Sequence, residues 1–184
     1  NCREGYMMLL DYLKKKDLPF DLCGKVSVAT EDREIEALNE IERRGKENGL
    51  DGIRRLEADE IKQYEPHIHG VQGLFVPQTG ICDYGQIARS YADDIRENGG
   101  EIRFGEAVQV WKGGEITTEK GSYRYKLAIN CAGLYCDKMA EMRLGKLDLR
   151  IIPFRGEYYE LKPSAQKLVK NLVYPVPDPS FPFL

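Results

Sequence analysis

Residues 126–141, KLAINCAGLYCDKMAE, decide which class of fold this 184-residue chain can adopt. An apolar run from Leu127 to Ile129 leads into the small residues Ala132 and Gly133, and a segment with a helical pattern follows. A strand, a tight turn of small residues and a helix form the unit with which α/β proteins bring backbone N–H groups against a phosphate. The chain nevertheless has neither a G-x-G-x-x-G motif nor a P-loop. The turn therefore predicts a nucleotide-binding type of fold that lacks its usual phosphate loop.

Composition and charge limit the kind of protein. Apolar residues make up 42% and charged residues 31%, which is typical of a globular protein with one large or two small domains. The net charge of −3 and the absence of a basic block predict no nucleic-acid partner. The charged N-terminal segment is unlike a signal peptide, so we expect a cytoplasmic protein. Because the chain starts without Met and stops within SFPFL, we expect an internal piece of a longer protein.

The cysteines and histidines give little support for a metal site. The five cysteines are Cys2, Cys23, Cys82, Cys131 and Cys136. Their closest spacing is C-x-x-x-x-C, which matches neither a zinc ribbon nor a redox C-x-x-C, so we expect buried, reduced thiols. His67 and His69 could form a strand-borne metal pair, but their Pro- and Gly-flanked context favours a turn with solvated imidazoles. We expect no metal.

Helical periodicity and end signals predict five helices. They cover residues 3–16, residues 31–48, a short segment ending before Pro66, residues 83–98 and residues 136–143. In the second helix acidic residues precede basic ones and Gly49 stands at the end, as the helix dipole and C-capping favour.

Alternation and turn residues predict strands between these helices. They fall within residues 20–30, 52–57, 70–76, 101–104, 107–111, 114–119 and 123–130, and within two strand-rich blocks interrupted by prolines, 149–163 and 171–184. Hairpin-like strands beside one strand–helix unit predict a mixed α/β (α+β) fold with two interleaved sheets, one of them incomplete.

Four motifs, in their order along the chain, resemble the FAD-dependent oxidoreductases of the D-amino-acid-oxidase-like superfamily. They are GLFVPQTGICDYGQIARSYADDIRENGGEIRFGEAV (73–108), AINCAGLYCDKMAEM (128–142), IIPFRGEYYELKP (151–163) and LVYPVPDPSFPFL (172–184). The last two, with CGKVSVAT and EADEIKQYEPHIHGV upstream, are similar to the L-2-hydroxyglutarate oxidase/dehydrogenase family. The resemblance covers essentially the whole chain.

The resemblance implies how the domains are arranged. It implies part of a Rossmann-like FAD-binding domain, interleaved with a mostly antiparallel β-sheet substrate domain that has flanking helices. The FAD-binding segments would be residues 1–18 and 81–148, and the substrate-binding segments residues 19–80 and 149–184.

The same resemblance implies FAD as the cofactor, with Ala132 and Gly133 in a second wall of its site and the backbone of Val108 at the adenine. Small side chains let a backbone approach a cofactor closely. Alternatively, Ala132 and Gly133 form an ordinary strand-to-helix turn, and Val108 is a core strand valine. The family's G-x-G-x-x-G and its flavin-side histidine, the expected base, are not in this chain. We therefore assign it no catalytic residue.

For the substrate, the resemblance implies a small dicarboxylate, and Arg155 is the first candidate to bind it. Arg155 follows a proline-containing segment and precedes Gly156, and its guanidinium offers a fork that matches a carboxylate. The alternative is an ion pair between Arg155 and Glu157 or Glu160.

Two tyrosines are further substrate-binding candidates. Tyr174 matches a position where amine-oxidising relatives place a carboxylate-binding tyrosine, although a half-buried strand tyrosine is the alternative. Tyr158 and Tyr159 would point to opposite faces of one strand, so only one can face a pocket, and Tyr159 is our candidate. The turn from Pro77 to Gly80 would line the active site or serve only as a tight turn.

The resemblance implies that the whole protein oxidises L-2-hydroxyglutarate to 2-oxoglutarate by hydride transfer to the flavin. Oxygen, a quinone or another acceptor would reoxidise it. One alternative is a flavin amine oxidase acting on glycine, sarcosine or a D-amino acid. Another is that the isolated chain is a folded but inactive module. Exposed sheet edges would favour a homodimer, and some relatives associate peripherally with membranes.

Overall fold

The computed structural model describes residues 2–178, which form two compact units. The residues before 95 and those after 159 build the first unit, and residues 95–159 build the second. The end of the predicted motif LVYPVPDPSFPFL, residues 179–184, lies outside the described residues.

The helices agree with the periodicity of the sequence. They are α1 (Cys2–Lys15), α2 (Ile35–Glu47), α3 (Ala58–Tyr64), α4 (Tyr84–Glu97) and α5 (Cys136–Leu144). The five predicted helices are thus confirmed. Within residues 2–178 none of them has the length and apolar character needed to traverse a lipid bilayer.

The strands are short. They are β1 (Phe20–Asp21), β2 (Lys25–Ala29), β3 (Arg54–Glu57), β4 (Gln72–Val76), β5 (Ile81–Cys82), β6 (Val108–Lys112), β7 (Glu115–Thr118), β8 (Ser122–Arg124) and β9 (Leu172–Pro175). They form a four-stranded sheet of order β3-β4-β2-β9, a three-stranded sheet of order β6-β7-β8 and the pair β1-β5.

Strand β2 lies inside the four-stranded sheet of the first unit. It pairs antiparallel with β4, with Ser27 opposite Leu74, and parallel with β9, with Ser27 opposite Tyr174. Strands β3 and β4 pair antiparallel. The sheet is therefore mostly antiparallel, and the parallel partner β9 comes from the far end of the chain.

Both faces of this sheet are covered, which explains why four of the five residues of β2 are buried. On one face Val26 and Val28 cluster with Ile61 of helix α3. On the other face Ala29 clusters with Leu38 of helix α2. Side chains alternate between the faces of a strand, so a strand covered on both sides buries consecutive residues. The result is a helix–sheet–helix sandwich.

Helices α1 and α4 are joined by a polar contact in the same unit. The Tyr12 hydroxyl donates to Asp94 Oδ2 at 2.8 Å and lies 2.8 Å from Ser90 Oγ. Lys16 completes the cluster with an ion pair to Asp94. Hydrogen bonds from Lys16 and then Tyr12 lower the pKa of Asp94.

The second unit is built on the meander β6-β7-β8. Gly113 and Gly114, both with positive φ, make the first turn, as the glycine pair in the sequence predicts. The only tryptophan of the chain, Trp111, is buried there and donates its indole N–H to the Tyr125 hydroxyl at 2.6 Å.

Three strand predictions are wrong, and they share a cause. Residues 101–104, 126–130 and 149–162 have no strand structure. Most of their large apolar side chains are exposed, and among the described residues no strand pairs with them. Because a strand needs a neighbour to accept and donate its backbone hydrogen bonds, a strand-like sequence without that neighbour does not form one.

The expected burial of the cysteines is also wrong. All five thiols are free, as predicted, but two are exposed and three are only partly buried. A turn at Pro66 and His67 is found where it was predicted, and both His67 and His69 are exposed. The division into FAD-binding and substrate-binding segments is a statement about function and stays a prediction.

We expect Leu38→Ala to lower the free energy of unfolding by about 2–5 kcal/mol, because it leaves a cavity beneath the sheet. Leu38 is fully buried against β4 and Val176. Met8→Ala in α1 is the control, since Met8 is 67% exposed, and it should change stability by only about 0.5 kcal/mol. Urea unfolding of both variants measures the difference, and equal effects would contradict this assignment of the core.

Candidate functional site

The turn predicted to form a wall of the cofactor site is organised by Asn130. Its Oδ1 accepts the Ala132 N–H at 3.2 Å, and its Nδ2 donates to the Cys136 carbonyl at 2.8 Å. A single 3₁₀ turn, Gly133–Tyr135, then leads directly into α5. Asn130 was not among the candidates predicted from the sequence, although a polar residue closing an apolar run indicates such a role.

Gly133 is the position where this turn requires glycine. Its φ is +57°, in the left-handed region, and a Cβ atom at this position would have nothing within 4 Å. Neighbouring Ala132 has a small, partly buried side chain. The backbone here is therefore open to approach by a ligand, and the residues present fit an FAD wall.

Val108 is the first residue of β6, opposite Thr118, and the register shifts between Val108 and Val110. Glu106 holds the residues that precede this strand. Its Oε1 accepts hydrogen bonds from the Thr118 hydroxyl at 2.6 Å and from the Tyr123 hydroxyl at 2.5 Å. These hydrogen bonds, Thr118 first, lower the pKa of Glu106. The side chain of Val108 is partly buried, so its strand position is fixed by packing as well as by pairing.

Arg155 lies on the surface of the second unit. Its side chain is 86% exposed, and its Nη2 is 3.4 Å from Oε1 of Glu157. The ion pair considered as the alternative is thus present, but an exposed pair of this kind contributes little to stability. The guanidinium remains accessible, and its role in binding substrate stays a prediction.

The segment that leads to Arg155 is held by Asp137 in the first turn of α5. Asp137 is buried, and its Oδ2 accepts the Ile151 N–H at 3.1 Å while its Oδ1 accepts the Lys138 N–H at 2.8 Å. The Ile151 N–H has the larger effect in lowering the pKa of Asp137, and the Lys138 N–H adds to it. Asp137 was not among the candidates predicted from the sequence, although an acidic residue in the first turn of a helix is favoured by the helix dipole.

The tyrosine candidates differ in their surroundings. Tyr174 in β9 is 53% exposed, and Nζ of Lys25 lies 5.7 Å from its ring centroid. Tyr158 and Tyr159 are 97% and 99% exposed. Because residues 149–162 form no strand, the premise that these two tyrosines face opposite sides of one strand is wrong.

The turn after β4 lines a cavity of about 820 Å³ in the first unit. Gln78, Thr79 and Gly80 form part of its wall, and apolar side chains of α1 form another part. Gly80 is required there, because a Cβ atom would collide with the Asp21 carbonyl oxygen. The volume is in the range of small-molecule sites.

The candidates are therefore divided between the two units. Val108, Ala132, Gly133, Arg155 and Tyr159 belong to the second unit, and Tyr174 belongs to the first. Among residues 2–178 no three His, Cys, Asp or Glu side chains are grouped so that they could hold a metal ion.

The chain matches the FAD dependent oxidoreductase (DAO) family over residues 1–184. It is 48% identical over 189 aligned residues to an L-2-hydroxyglutarate dehydrogenase of Indibacter alkaliphilus, covering 100% of this chain and 47% of the relative. It is 37% identical to the mitochondrial L-2-hydroxyglutarate dehydrogenase of Homo sapiens, covering 100% of this chain and 43% of that protein. The chain thus spans slightly less than half the length of these relatives.

Solved structures share the fold. L-proline dehydrogenase from P. horikoshii superposes with a TM-score of 0.76 at 12% identity, covering 94% of this chain and 48% of the other. The dithionite-reduced, FAD-bound L-α-glycerophosphate oxidase from Mycoplasma pneumoniae superposes with a TM-score of 0.70 at 21% identity, covering 87% of this chain and 44% of the other. These likenesses confirm the mixed α/β fold predicted from the sequence. The cytoplasmic location predicted with it is wrong, because the eukaryotic relatives are named as mitochondrial.

We expect Asp137→Asn to remove a pH-dependent part of the stability. The pKa of Asp137 is lower in the folded chain than its value of about 3.9 in an unfolded one, so the ionised carboxylate stabilises the fold above that pH. The contribution is lost as the pH falls through the folded pKa. The difference in urea midpoint between wild type and variant should therefore be constant from pH 7 to about 5 and shrink below about 4.

Asp148→Asn is the matched control, because Asp148 is an exposed aspartate of the same unit. It should change the urea midpoint little, because its side chain is exposed. A difference that persists unchanged to about pH 2 for Asp137→Asn would show that the carboxylate charge is not what holds Ile151.

Proposed function

The chain belongs to the FAD dependent oxidoreductase (DAO) family, and on that premise we propose that the whole protein oxidises L-2-hydroxyglutarate to 2-oxoglutarate. The observation that carries the proposal is the likeness, along the full length of this chain, to relatives named L-2-hydroxyglutarate dehydrogenase. The reaction removes a hydride from C2 and a proton from its hydroxyl group. FAD, when bound, supplies the two-electron acceptor.

We propose that this chain contributes one wall of the FAD site. Ala132 and Gly133 let the backbone approach the cofactor, and Asn130 keeps their turn in place through its hydrogen bonds to Ala132 and Cys136. The main chain of Val108 would lie at the adenine, held by the Glu106 cluster that precedes β6. Residues 1–18 and 81–148 would be the FAD-binding segments.

We propose that the substrate is a small dicarboxylate bound by residues of segments 19–80 and 149–184. The accessible guanidinium of Arg155 offers two parallel N–H donors to a carboxylate. The hydroxyl of Tyr174 and that of exposed Tyr159 can each donate one hydrogen bond. Each such contact with a carboxylate would help to orient C2–H of the substrate, which would contribute to rate by positioning.

We expect Gly133→Ala to weaken FAD binding by the whole protein more than it weakens folding. Apart from its two chain neighbours, no described residue has an atom within 4 Å of a Cβ at position 133, but this Cβ would stand where the cofactor is proposed to approach. Gly113→Ala is a close control, because Gly113 has the same φ of +57° and equally open surroundings. Both should cost about 1–2 kcal/mol of stability through left-handed strain.

Only Gly133→Ala should raise the Kd for FAD, measured by titrating the apoprotein and following flavin fluorescence. Equal Kd values in the two variants would contradict the assignment of this turn to the cofactor site.

We expect Arg155→Ala to raise KM for L-2-hydroxyglutarate by roughly tenfold to a hundredfold, since it removes charge-assisted hydrogen bonds. Arg150→Ala, another exposed arginine of the same segment, is the control and should leave KM unchanged. Flavin reduction by the whole protein, followed with L-2-hydroxyglutarate and separately with glycine, sarcosine and D-alanine, tests the substrate class. Faster reduction by the amino acids would favour a flavin amine oxidase instead.

A further inference from the structure

We propose that Glu65 is a positioning residue, which places Tyr174 by fixing the backbone where strand β9 begins. Its role in substrate binding rests on the function proposed above, in which Tyr174 binds a substrate carboxylate. The contact itself is a feature of the first unit alone.

Glu65 directly follows helix α3 and is fully buried. Its Oε1 accepts the backbone N–H of Lys170 at 2.9 Å and also the backbone N–H of Asn171. The two donors lie 105 and 106 residues away along the chain. A single carboxylate oxygen therefore ties the end of α3 to the residues that immediately precede β9.

Burying the Glu65 side chain would be unfavourable for folding if the side chain did no more than fill space. A buried carboxylate is unfavourable unless hydrogen bonds compensate for lost hydration. One oxygen of Glu65 has such bonds, whereas the other, Oε2, is buried with no hydrogen-bond partner among the described residues. An apolar side chain of similar size would fill the space without this penalty. The carboxylate is best explained by the two backbone groups that it holds.

Strand β9 needs such a contact because it is weakly held. It has four residues and lies at the edge of the sheet, and within residues 2–178 it pairs with β2 only. The Leu172 N–H donates to the Gly24 carbonyl at 3.0 Å, and the Asn171 side chain donates to the Cys23 carbonyl. Glu65 thus acts at the same point where the parallel pairing starts.

The register that begins there decides where Tyr174 points. In the observed register Tyr174 is opposite Ser27 and beside Lys25. A slip by one residue would turn Tyr174 to the other face of the sheet. Anchoring Lys170 and Asn171, four and three residues upstream of Tyr174, prevents this slip. Glu65 therefore acts on substrate only through Tyr174.

Two substitutions separate the hydrogen bonds from the volume of the side chain. Glu65→Leu removes the acceptor, whereas Glu65→Gln keeps a carbonyl oxygen in the same place. In Glu65→Leu we expect the amides of Lys170 and Asn171 to exchange hydrogen about tenfold faster or more, and in Glu65→Gln we expect protection close to wild type. Glu60→Ala is the control, because exposed Glu60 accepts the Glu57 N–H at the other end of α3.

The kinetic measurement determines KM and kcat of the whole protein separately for each variant. Glu65→Leu should raise KM for L-2-hydroxyglutarate about tenfold with little change in kcat, and Glu65→Gln should restore KM. Combined with Tyr174→Phe, Glu65→Leu should add little to the rise caused by Tyr174→Phe alone, because both act on one contact. Unchanged exchange and KM in Glu65→Leu, or fully additive effects, would overturn the inference.

If Glu65→Leu does not fold, Glu65→Asp decides the question, since it keeps the charge but withdraws the carboxylate by one methylene. It should accelerate exchange at Lys170 and Asn171 in the same direction, and unchanged exchange would overturn the inference. Flavin reduction by L-2-hydroxyglutarate in the wild-type protein is measured separately. If the proposed function is wrong, L-2-hydroxyglutarate does not reduce the flavin of the wild-type protein. If only this inference is wrong, the wild-type protein is reduced and only the Glu65 variants depart from the expected results.

Discussion

The fold of the first unit depends on the position of β2 inside its sheet. Strand β2 bonds to β4 on one edge and to β9 on the other, and residues Val26 to Ala29 are buried between helices α2 and α3. No backbone group in such a strand can turn to water, so each must be paired within the sheet. The parallel partner β9 lies almost 150 residues further along the chain. The pairing of these two strands, far apart in sequence, brings Tyr174 beside Lys25.

Polar side chains that hold backbone groups recur throughout the candidate site. Asn130 ties the turn that contains Gly133, and Asp137 holds the chain at Ile151, ahead of Arg155. Glu65 does the same for β9, before Tyr174. In each case a carboxylate or amide near a helix terminus holds irregular backbone that contains a candidate ligand-binding residue or, for Tyr174, immediately precedes its strand. Irregular segments lack the repeated hydrogen bonds of helices and sheets, so these few contacts determine where their side chains lie.

Most of the regular structure could be predicted because its causes are local. Helix α2 has acidic residues at its start, basic residues at its end and a left-handed glycine, Gly49, after it. The turn at Gly113 and Gly114 is equally local. The strand prediction around Leu127 and Ile129 is wrong because the local pattern shows only that the segment could form a strand. Whether it does so depends on a neighbouring strand to pair with. The ligand-binding candidates came from motif resemblance, whereas the side chains that hold them in place did not.

The sequence by itself determined the helices, the glycine turns and the family, because periodicity, capping and long motifs are properties of contiguous residues. Only the tertiary structure decided that β9 pairs parallel with β2, that buried Glu65 anchors its first residues, and that Asp137 reaches Ile151. These contacts join residues far apart in the chain. A buried carboxylate and an exposed one look the same in a sequence, and only the surrounding fold, by removing water, makes the difference between them.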